Sequence, residues 1–333
     1  MKKIKYITGL AAVLASALLL SGCEWDLLNP AGYVAHQERT LMYICVAVML
    51  CVVIPVMIAI IVFAIKFRAT NTQSEYLPDW GNSHRVEMIM WGIPICIIIV
   101  LASLTGYYTF KLEPSRVLSA TVAGDQKPLQ IDAVAMDWKW LFIYPEYGVA
   151  TINEIYAPVN RQVFLQISSE SSINAFWVPR LGTVLYAMPQ MNAKLHLIAD
   201  VEGVFKGMSA NYSGDGFNEM RFMWHSVPQD KFNNWILQVK NAGKPLGRAE
   251  YLDLARHPKV GDVAAKKKDA QVRYFSNVEK DLYYRIVNRC VADGRICNER
   301  LMARDAASSL WGQLCSVFDA DYKFDNTTSQ DGA

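Results

Sequence analysis

Two long apolar segments without a charged side chain constrain this sequence more than any other feature. They run from Leu41 to Ile65 and from Met88 to Phe110. Because a helix rises about 1.5 Å per residue, each segment is long enough to cross a hydrocarbon core of roughly 30 Å. We therefore predict a transmembrane hairpin with helices at residues 41–66 and 87–110.

A secretory signal precedes this hairpin. A lysine-rich start is followed by a short apolar stretch that ends in Leu20-Ser21-Gly22-Cys23. This ending resembles a lipobox, in which a diacylglyceryl group is attached to the cysteine before the chain is cut. We predict that residues 1–22 are removed and that Cys23 carries a lipid anchor. The alternative is a first membrane helix with an ordinary thiol at Cys23, but the apolar stretch is shorter than the roughly 20 residues that a span needs.

The lipid would place the N-terminal segment 23–40 on the periplasmic side of a bacterial inner membrane. The first helix then runs inward, and residues 67–86 form a cytoplasmic loop. The excess of basic residues on the cytoplasmic side of membrane proteins agrees with this orientation, because Lys66, Arg68 and Arg85 lie close to the inner helix ends. The rest of the chain is therefore expected in the periplasm.

After the hairpin the sequence changes to short β-rich runs. Runs such as Leu129–Ala135 and Lys194–Ala199 are separated by Gly, Pro and Asn, and several runs of this region alternate apolar and polar residues. Residues 111–230 are therefore predicted to form a β-sandwich or barrel. Helical patterns follow at residues 231–318, which we expect to pack on the exterior of a larger assembly. The polar tail 319–333 is predicted to be disordered.

Three motifs resemble subunit II of the haem–copper oxidases. They are Asp137-Trp138-Lys139-Trp140, Phe176-Trp177-Val178-Pro179 and the loop Gly207–Met220, in the order in which the family has them after two helices. The resemblance implies that the outer domain is cupredoxin-like. The predicted fold is thus an α+β membrane protein, with a two-helix transmembrane hairpin, a periplasmic cupredoxin-like β-sandwich and a helical C-terminal extension.

The copper site of that family is degenerate in this sequence. In copper-containing members, two Cys, two His, a Met and a backbone carbonyl hold two copper ions, because copper in such sites prefers thiolates and imidazoles. Asn174 stands where the first His would lie, and the loop Gly207–Met220 contains neither Cys nor His. We expect Asn174, Met208, Tyr212 and Met220 at positions of the lost site, without a role as metal ligands. This departure resembles the copper-less, bo-type ubiquinol oxidase branch.

The resemblance implies an accessory subunit of a proton-pumping oxidase that passes electrons from ubiquinol to oxygen. The membrane segments contain no histidine, whereas haem and copper in an oxygen-reducing centre need several His ligands. We therefore expect no cofactor on this chain, and haems, copper and ubiquinol in a many-spanning subunit I. Further expected partners are the smaller subunits III and IV and membrane lipid. A formal net charge of +2 without a basic stripe argues against nucleic acid.

Single residues carry further predictions. In the family, a carboxylate at the position of Glu87 is associated with the cytoplasmic entrance of a proton pathway, but the helix dipole and solvation explain a carboxylate at this helix start equally well. Trp138, Trp140 and Trp177 are predicted to pack at an interface with subunit I, since tryptophan is favoured at such surfaces. No catalytic residue is predicted.

Three cysteines, Cys290, Cys297 and Cys315, follow in the oxidising compartment. A disulfide bond between Cys290 and Cys297 would leave Cys315 unpaired, but the sequence does not determine the pairing. Two functional alternatives also stay open, namely a cytochrome c oxidase subunit with an unusual electron donor and a stand-alone lipoprotein with an empty cupredoxin domain.

Overall fold

The structure of the protein is a computed structural model that describes residues 26–68, 70–71, 81–119, 122, 126–256 and 270–308. The predicted signal segment 1–22, the proposed lipid site Cys23, the third periplasmic cysteine Cys315 and the predicted tail 319–333 lie outside these residues.

Two helices form the N-terminal part, as predicted. Helix α1 spans Tyr33–Lys66 and helix α2 spans His84–Lys111, and both are long and apolar enough to cross a membrane. In α1 only Val34 and Ala35 are buried, and no residue of α2 is buried. The apolar side chains of both helices are therefore open to lipid or to other subunits.

Twelve strands in the described residues form the two sheets of a β-sandwich. In chain order the strands are β1 (Leu129–Met136), β2 (Lys139–Tyr144), β3 (Val149–Ile152), β4 (Glu154–Pro158), β5 (Val163–Ser169), β6 (Asn174–Trp177), β7 (Leu185–Ala187), β8 (Ala193–Leu197), β9 (Gly203–Ser209), β10 (Arg221–Val227), β11 (Lys244–Pro245) and β12 (Arg273–Ser276).

The first sheet has seven strands in the order β11-β12-β3-β2-β1-β5-β8, and the second has five in the order β4-β10-β9-β6-β7. Strand β1 lies inside the larger sheet, antiparallel to β2 and parallel to β5. The strands β11 and β12 come from the C-terminal region, so this region extends the sheet of the outer domain.

Aromatic side chains fill the space between the two sheets. Trp140 and Phe142 project from the larger sheet and meet Phe176 and Phe222 of the smaller one. The ring centroids of Trp140 and Phe176 lie 5.5 Å apart in an edge-on arrangement, and those of Phe142 and Phe222 lie 5.2 Å apart. Such pairs add to the stability that burial of apolar area provides.

Part of the C-terminal region covers the outer face of the larger sheet, whereas its first helix adds Phe232 and Trp235 to the core between the sheets. Its helices are α3 (Gln229–Ala242), α4 (Arg248–Ala255), α5 (Leu282–Val287) and α6 (Asn298–Ser308). Tyr251 of α4 and Leu282 of α5 are fully buried in a second core with Val134 and Met136 of β1. In the structure this region packs on the chain's own sheet, and its place on the exterior of a larger assembly stays a prediction.

The start of α1 is joined to the sandwich by backbone contacts. Ala31 N–H donates to the carbonyl of Arg180 at 2.7 Å, and the Arg180 side chain donates to the carbonyl of Asn29 at 2.8 Å. A Cβ atom on Gly32 would lie 2.4 Å from the carbonyl oxygen of Ile198, so only glycine allows this approach. The membrane hairpin and the outer domain therefore meet through these contacts.

A disulfide bond joins Cys290 and Cys297, whose Cα atoms lie 4.8 Å apart. The structure thus shows the pairing that the sequence left open. The bond links the end of α5 to the start of α6. The bond reduces the number of conformations that the unfolded chain can adopt. In the chain-entropy description it therefore stabilises this region by about 2 kcal/mol.

We predict that Trp140→Ala destabilises the full-length chain by about 3–5 kcal/mol, because it leaves a cavity among Phe142, Phe176 and Phe222. The measurement is the thermal unfolding of the purified chain in detergent, followed by near-ultraviolet circular dichroism. The control Tyr186→Ala removes a ring that is largely exposed, and should change stability by no more than about 0.5 kcal/mol. Equal effects of the two variants would contradict the aromatic core.

Candidate functional site

Four polar side chains meet where β6 begins and β9 ends. Ser209 Oγ lies 3.2 Å from Oδ1 of Asn174 and accepts from the backbone N–H of Ala175 at 3.3 Å. Ser213 Oγ donates to Sδ of Met220 at 3.4 Å. The backbone N–H of Ser209 donates to the carbonyl of Met220 at 3.0 Å, which joins the two pairs.

These side chains offer an amide, two hydroxyls and one thioether. A dinuclear copper site needs thiolates that bridge the ions and imidazoles that complete them, so this set of donors does not fit copper. The hydroxyl groups of Ser209 and Ser213 instead make hydrogen bonds within the site. The arrangement therefore serves to hold the loop in place.

The structure brings only part of the predicted set together. Asn174 and Met220 lie in the site, but Met208 pairs with Trp177 across the sheet, and Tyr212 is 75% exposed beside Phe217. Neighbouring residues of a strand point to opposite faces. The residues that sequence reasoning missed are Ser209 and Ser213, one position further along.

Trp138 lies over the loop of this site. It adopts a positive φ of 67° in the turn between β1 and β2, and its indole N–H donates to the carbonyl of Ser213 at 3.3 Å. A Cβ atom on Gly216 would lie 2.1 Å from the indole ring, so the loop needs glycine there. The half-buried Trp138 keeps one part of its surface open to a partner.

The interface prediction is wrong for Trp140. Its side chain is fully buried inside the sandwich, so it cannot contact another subunit. Trp177 lies at the end of β6 and is half-buried, which leaves part of its surface accessible. Trp138 and Trp140 differ because Trp138 lies in the turn before β2, with a positive φ of 67°, whereas Trp140 lies within β2 and faces the core.

Glu87 lies in the first turn of α2 and its side chain is exposed. Its backbone N–H donates to the carbonyl of Ser83 at 3.0 Å. The exposed carboxylate is therefore accessible at this end of the hairpin.

A second polar cluster, which sequence reasoning did not identify, joins the smaller sheet to the C-terminal region. Nε2 of His225 lies 2.9 Å from the Glu154 carboxylate, which also accepts a hydrogen bond from the hydroxyl of Tyr274. Tyr156 stacks between His225 and Trp235, at ring distances of 4.3 and 4.4 Å. Its members lie far apart in sequence, so no local pattern could have shown it.

The charge of Glu154 holds this cluster together. Burial raises the pKa of its carboxyl group, but the hydrogen bonds from His225 and Tyr274 outweigh burial, and the pKa falls below its ordinary value. The contribution of the ionised carboxylate to stability is present at neutral pH and is lost only as the pH falls through this lowered pKa. The cluster is thus a structural connection at periplasmic pH.

No group of three or more His, Cys, Asp and Glu side chains suited to a metal ion occurs among the residues that the structure describes.

Family models match two parts of the chain. Residues 148–227 match the cytochrome c oxidase subunit II periplasmic domain, and residues 240–294 match the COX aromatic rich motif. The first match confirms the predicted cupredoxin-like fold of the outer domain.

Similar proteins cover most of the chain. The cytochrome bo(3) ubiquinol oxidase subunit 2 of Pseudomonas putida is 44% identical over 88% of this chain and 90% of its own length. That of Pseudomonas aeruginosa is 45% identical over 83% of this chain and 80% of its own length.

Among solved structures, the periplasmic domain of subunit II of the cytochrome oxidase of Bradyrhizobium japonicum aligns with 35% of this chain and 96% of its own length, at 24% identity and a TM-score of 0.34. The sequence relatives extend further, through the hairpin, the sandwich and the C-terminal region. On their evidence, this chain belongs to the family of cytochrome bo(3) ubiquinol oxidase subunit 2.

Proposed function

We propose that this chain is the accessory subunit II of a ubiquinol oxidase in a bacterial inner membrane, where it performs no bond-making step itself. The relatives named ubiquinol oxidase subunit 2 support ubiquinol as the substrate of the complex, because they match the chain over most of its length. In this proposal the complex passes electrons from ubiquinol to oxygen and pumps protons. The chain supports the catalytic subunit from the periplasmic side.

The donor set of the degenerate site carries this proposal. Asn174, Ser209 and Ser213 offer neutral oxygen groups at the place where a copper site needs thiolates and imidazoles. Neutral oxygen groups do not hold two bridged copper ions. A chain with these residues has no centre that could take electrons from cytochrome c. Electrons from ubiquinol must therefore enter the complex elsewhere.

Other subunits are proposed to hold the cofactors. Residues 41–66 and 87–110 contain no histidine, and haem ligation in a membrane needs such ligands. We assign the haems, copper and ubiquinol to subunit I, with subunits III and IV as further partners.

The exposed end of the degenerate site is the proposed contact surface for subunit I. Trp138 is half-buried there, and the neighbouring Ile173 and Tyr212 are exposed apolar side chains. The half-buried Trp177, at the other end of β6, is a further candidate for this contact. Exposed apolar groups of this kind are typical of a surface that another protein covers.

The first test is oxygen consumption by the complex purified through a tag on this chain. We expect turnover with ubiquinol and none with reduced cytochrome c, because the chain lacks copper ligands. Turnover with cytochrome c would contradict the interpretation of the donor set. Absence of activity with both donors would favour a stand-alone lipoprotein.

Two variants in the same purification examine the contact surface. Tyr212→Asp should lower the amount of subunit I that is recovered with the tag. Val204→Asp, at the opposite end of β9, puts the same charge on another exposed apolar residue and should leave recovery unchanged. Equal recovery of subunit I with both variants would show that the contact surface lies elsewhere.

Glu87 is the proposed entrance of a proton pathway at the cytoplasmic side. We expect Glu87→Gln to lower the turnover of the complex several-fold with an unchanged KM for ubiquinol, because the amide cannot carry a proton. Glu87→Asp should restore most of the turnover. If the Gln variant keeps full turnover and full proton pumping in vesicles, the carboxylate carries no protons and only interacts with the dipole at the start of the helix.

Cys23 is the proposed site of a lipid anchor, on the basis of the preceding Leu-Ser-Gly. We expect mass spectrometry of the mature N-terminal peptide to show a diacylglyceryl group on Cys23, and a Cys23→Ala variant to retain the uncut signal. A mature chain with an unmodified Cys23 would contradict the anchor.

A further inference from the structure

A cavity of about 410 Å³ lies where α1 begins and α2 ends. The segment after α2, the edge strand β8 and the start of α1 form its walls. Its polar lining residues include Tyr33, Lys111, Glu113, Arg116, Thr183 and His196. This volume lies within the range of roughly 300–1,000 Å³ that is usual for sites of small ligands.

The cavity lies at the outer edge of the proposed membrane span. The apolar surfaces of α1 and α2 lead away from it toward the cytoplasmic side. Phospholipid headgroups occupy this level of a bilayer, directly outside the hydrocarbon core. A lipid could therefore place its headgroup in the cavity and its acyl chains along the two helices.

The charges in the cavity favour an anion. Lys111 and Arg116 outnumber the single carboxylate Glu113, which is bound by the Ser115 hydroxyl at 2.7 Å. The ammonium group of Lys111 is held by the Gln37 side chain at 3.0 Å. It also lies against the faces of two tyrosine rings, and no carboxylate of the described residues forms an ion pair with it.

His196 supplies a positioned hydrogen-bond donor in the cavity wall. It is only 7% exposed and stacks on Phe164 at 4.7 Å, while the amide nitrogen of Gln162 lies 2.6 Å from its Nδ1 atom. Burial lowers the pKa of the ring, which is therefore neutral. In the tautomer in which the Gln162 amide donates to Nδ1, the ring carries its proton on Nε2. None of the described residues accepts a hydrogen bond from this Nε2–H group.

We propose that this cavity binds the phosphate headgroup of a membrane phospholipid. Lys111 and Arg116 would neutralise the phosphate, and the Nε2–H group of His196 would donate to one of its oxygens. Charge-assisted hydrogen bonds of this type are stronger than those between neutral groups. The start of α1, which no side chain caps, adds the positive end of a helix dipole. The site does not depend on the electron donor of the complex.

The test is native mass spectrometry of the complete oxidase, purified through a tag on this chain and supplied with phosphatidylglycerol. We expect the chain to leave the complex with one bound phospholipid. The double variant Lys111→Gln/Arg116→Gln should weaken retention by at least about tenfold, since each cation near a membrane surface contributes to anion binding. His196→Phe keeps the stacked ring and should weaken retention by about tenfold.

Matched controls separate the headgroup from other causes. Lys206→Gln/Arg221→Gln removes the same charge from exposed positions of the smaller sheet and should keep the lipid. Dioleoylglycerol lacks the phosphate and should not bind, and millimolar inorganic phosphate should not displace the phospholipid. A covalent lipid on Cys23 carries no phosphate and would add the same mass to every variant.

Three results would overturn the proposal. Equal retention of dioleoylglycerol would show a purely apolar site, and binding of inorganic phosphate in place of the lipid would show a site for a free anion. A wild-type chain that leaves the complex without phospholipid would show that another part of the complex fills the cavity.

Discussion

The burial of β1 on both faces is the constraint on which the rest of the outer domain depends. One face, with Ile131 and Ala133, meets the smaller sheet across the aromatic core, and the other, with Val134 and Met136, meets the C-terminal helices. A strand with apolar residues on both faces is stable only if both are covered. The C-terminal region is therefore a part of the folding unit, and its strands β11 and β12 complete the larger sheet. Asp132 lies on the same strand, where burial disfavours its charged form and raises the pKa of its carboxyl group to about 6.

The degenerate site shows how a framework can keep its geometry while its chemistry changes. The strands β6 and β9 still bring side chains to one point, but these side chains now form hydrogen bonds with one another. Ser209 binds Asn174, and Ser213 binds Met220. Trp138 covers the loop from outside. The result is a surface at the end of the sandwich that is held by hydrogen bonds between its own residues.

The contact between the hairpin and the sandwich forms the cavity at the outer end of the two helices. Arg180 and Gly32 join the start of α1 to the outer domain at close range. Because α1 and α2 are also joined at this end by Lys111 and Gln37, the helices and the sandwich enclose a space between them. This space is the cavity with His196 in its wall, and its cations come from the segment that leaves the membrane.

The sequence by itself determined the two apolar helices, the sandwich and the lack of Cys and His in the loop Gly207–Met220, because these depend on local composition, on periodicity and on the types of residue present. Trp140 and Ser209 show its limit. Whether a tryptophan faces the core or a partner, and which of two neighbouring residues at the end of β9 enters the site, depends on how the strands pair and pack. The cover on the outer face of β1 and the place of His196 were likewise decided only by the tertiary structure, since the residues that pack against them are distant in sequence and no local pattern encodes which distant surfaces will meet.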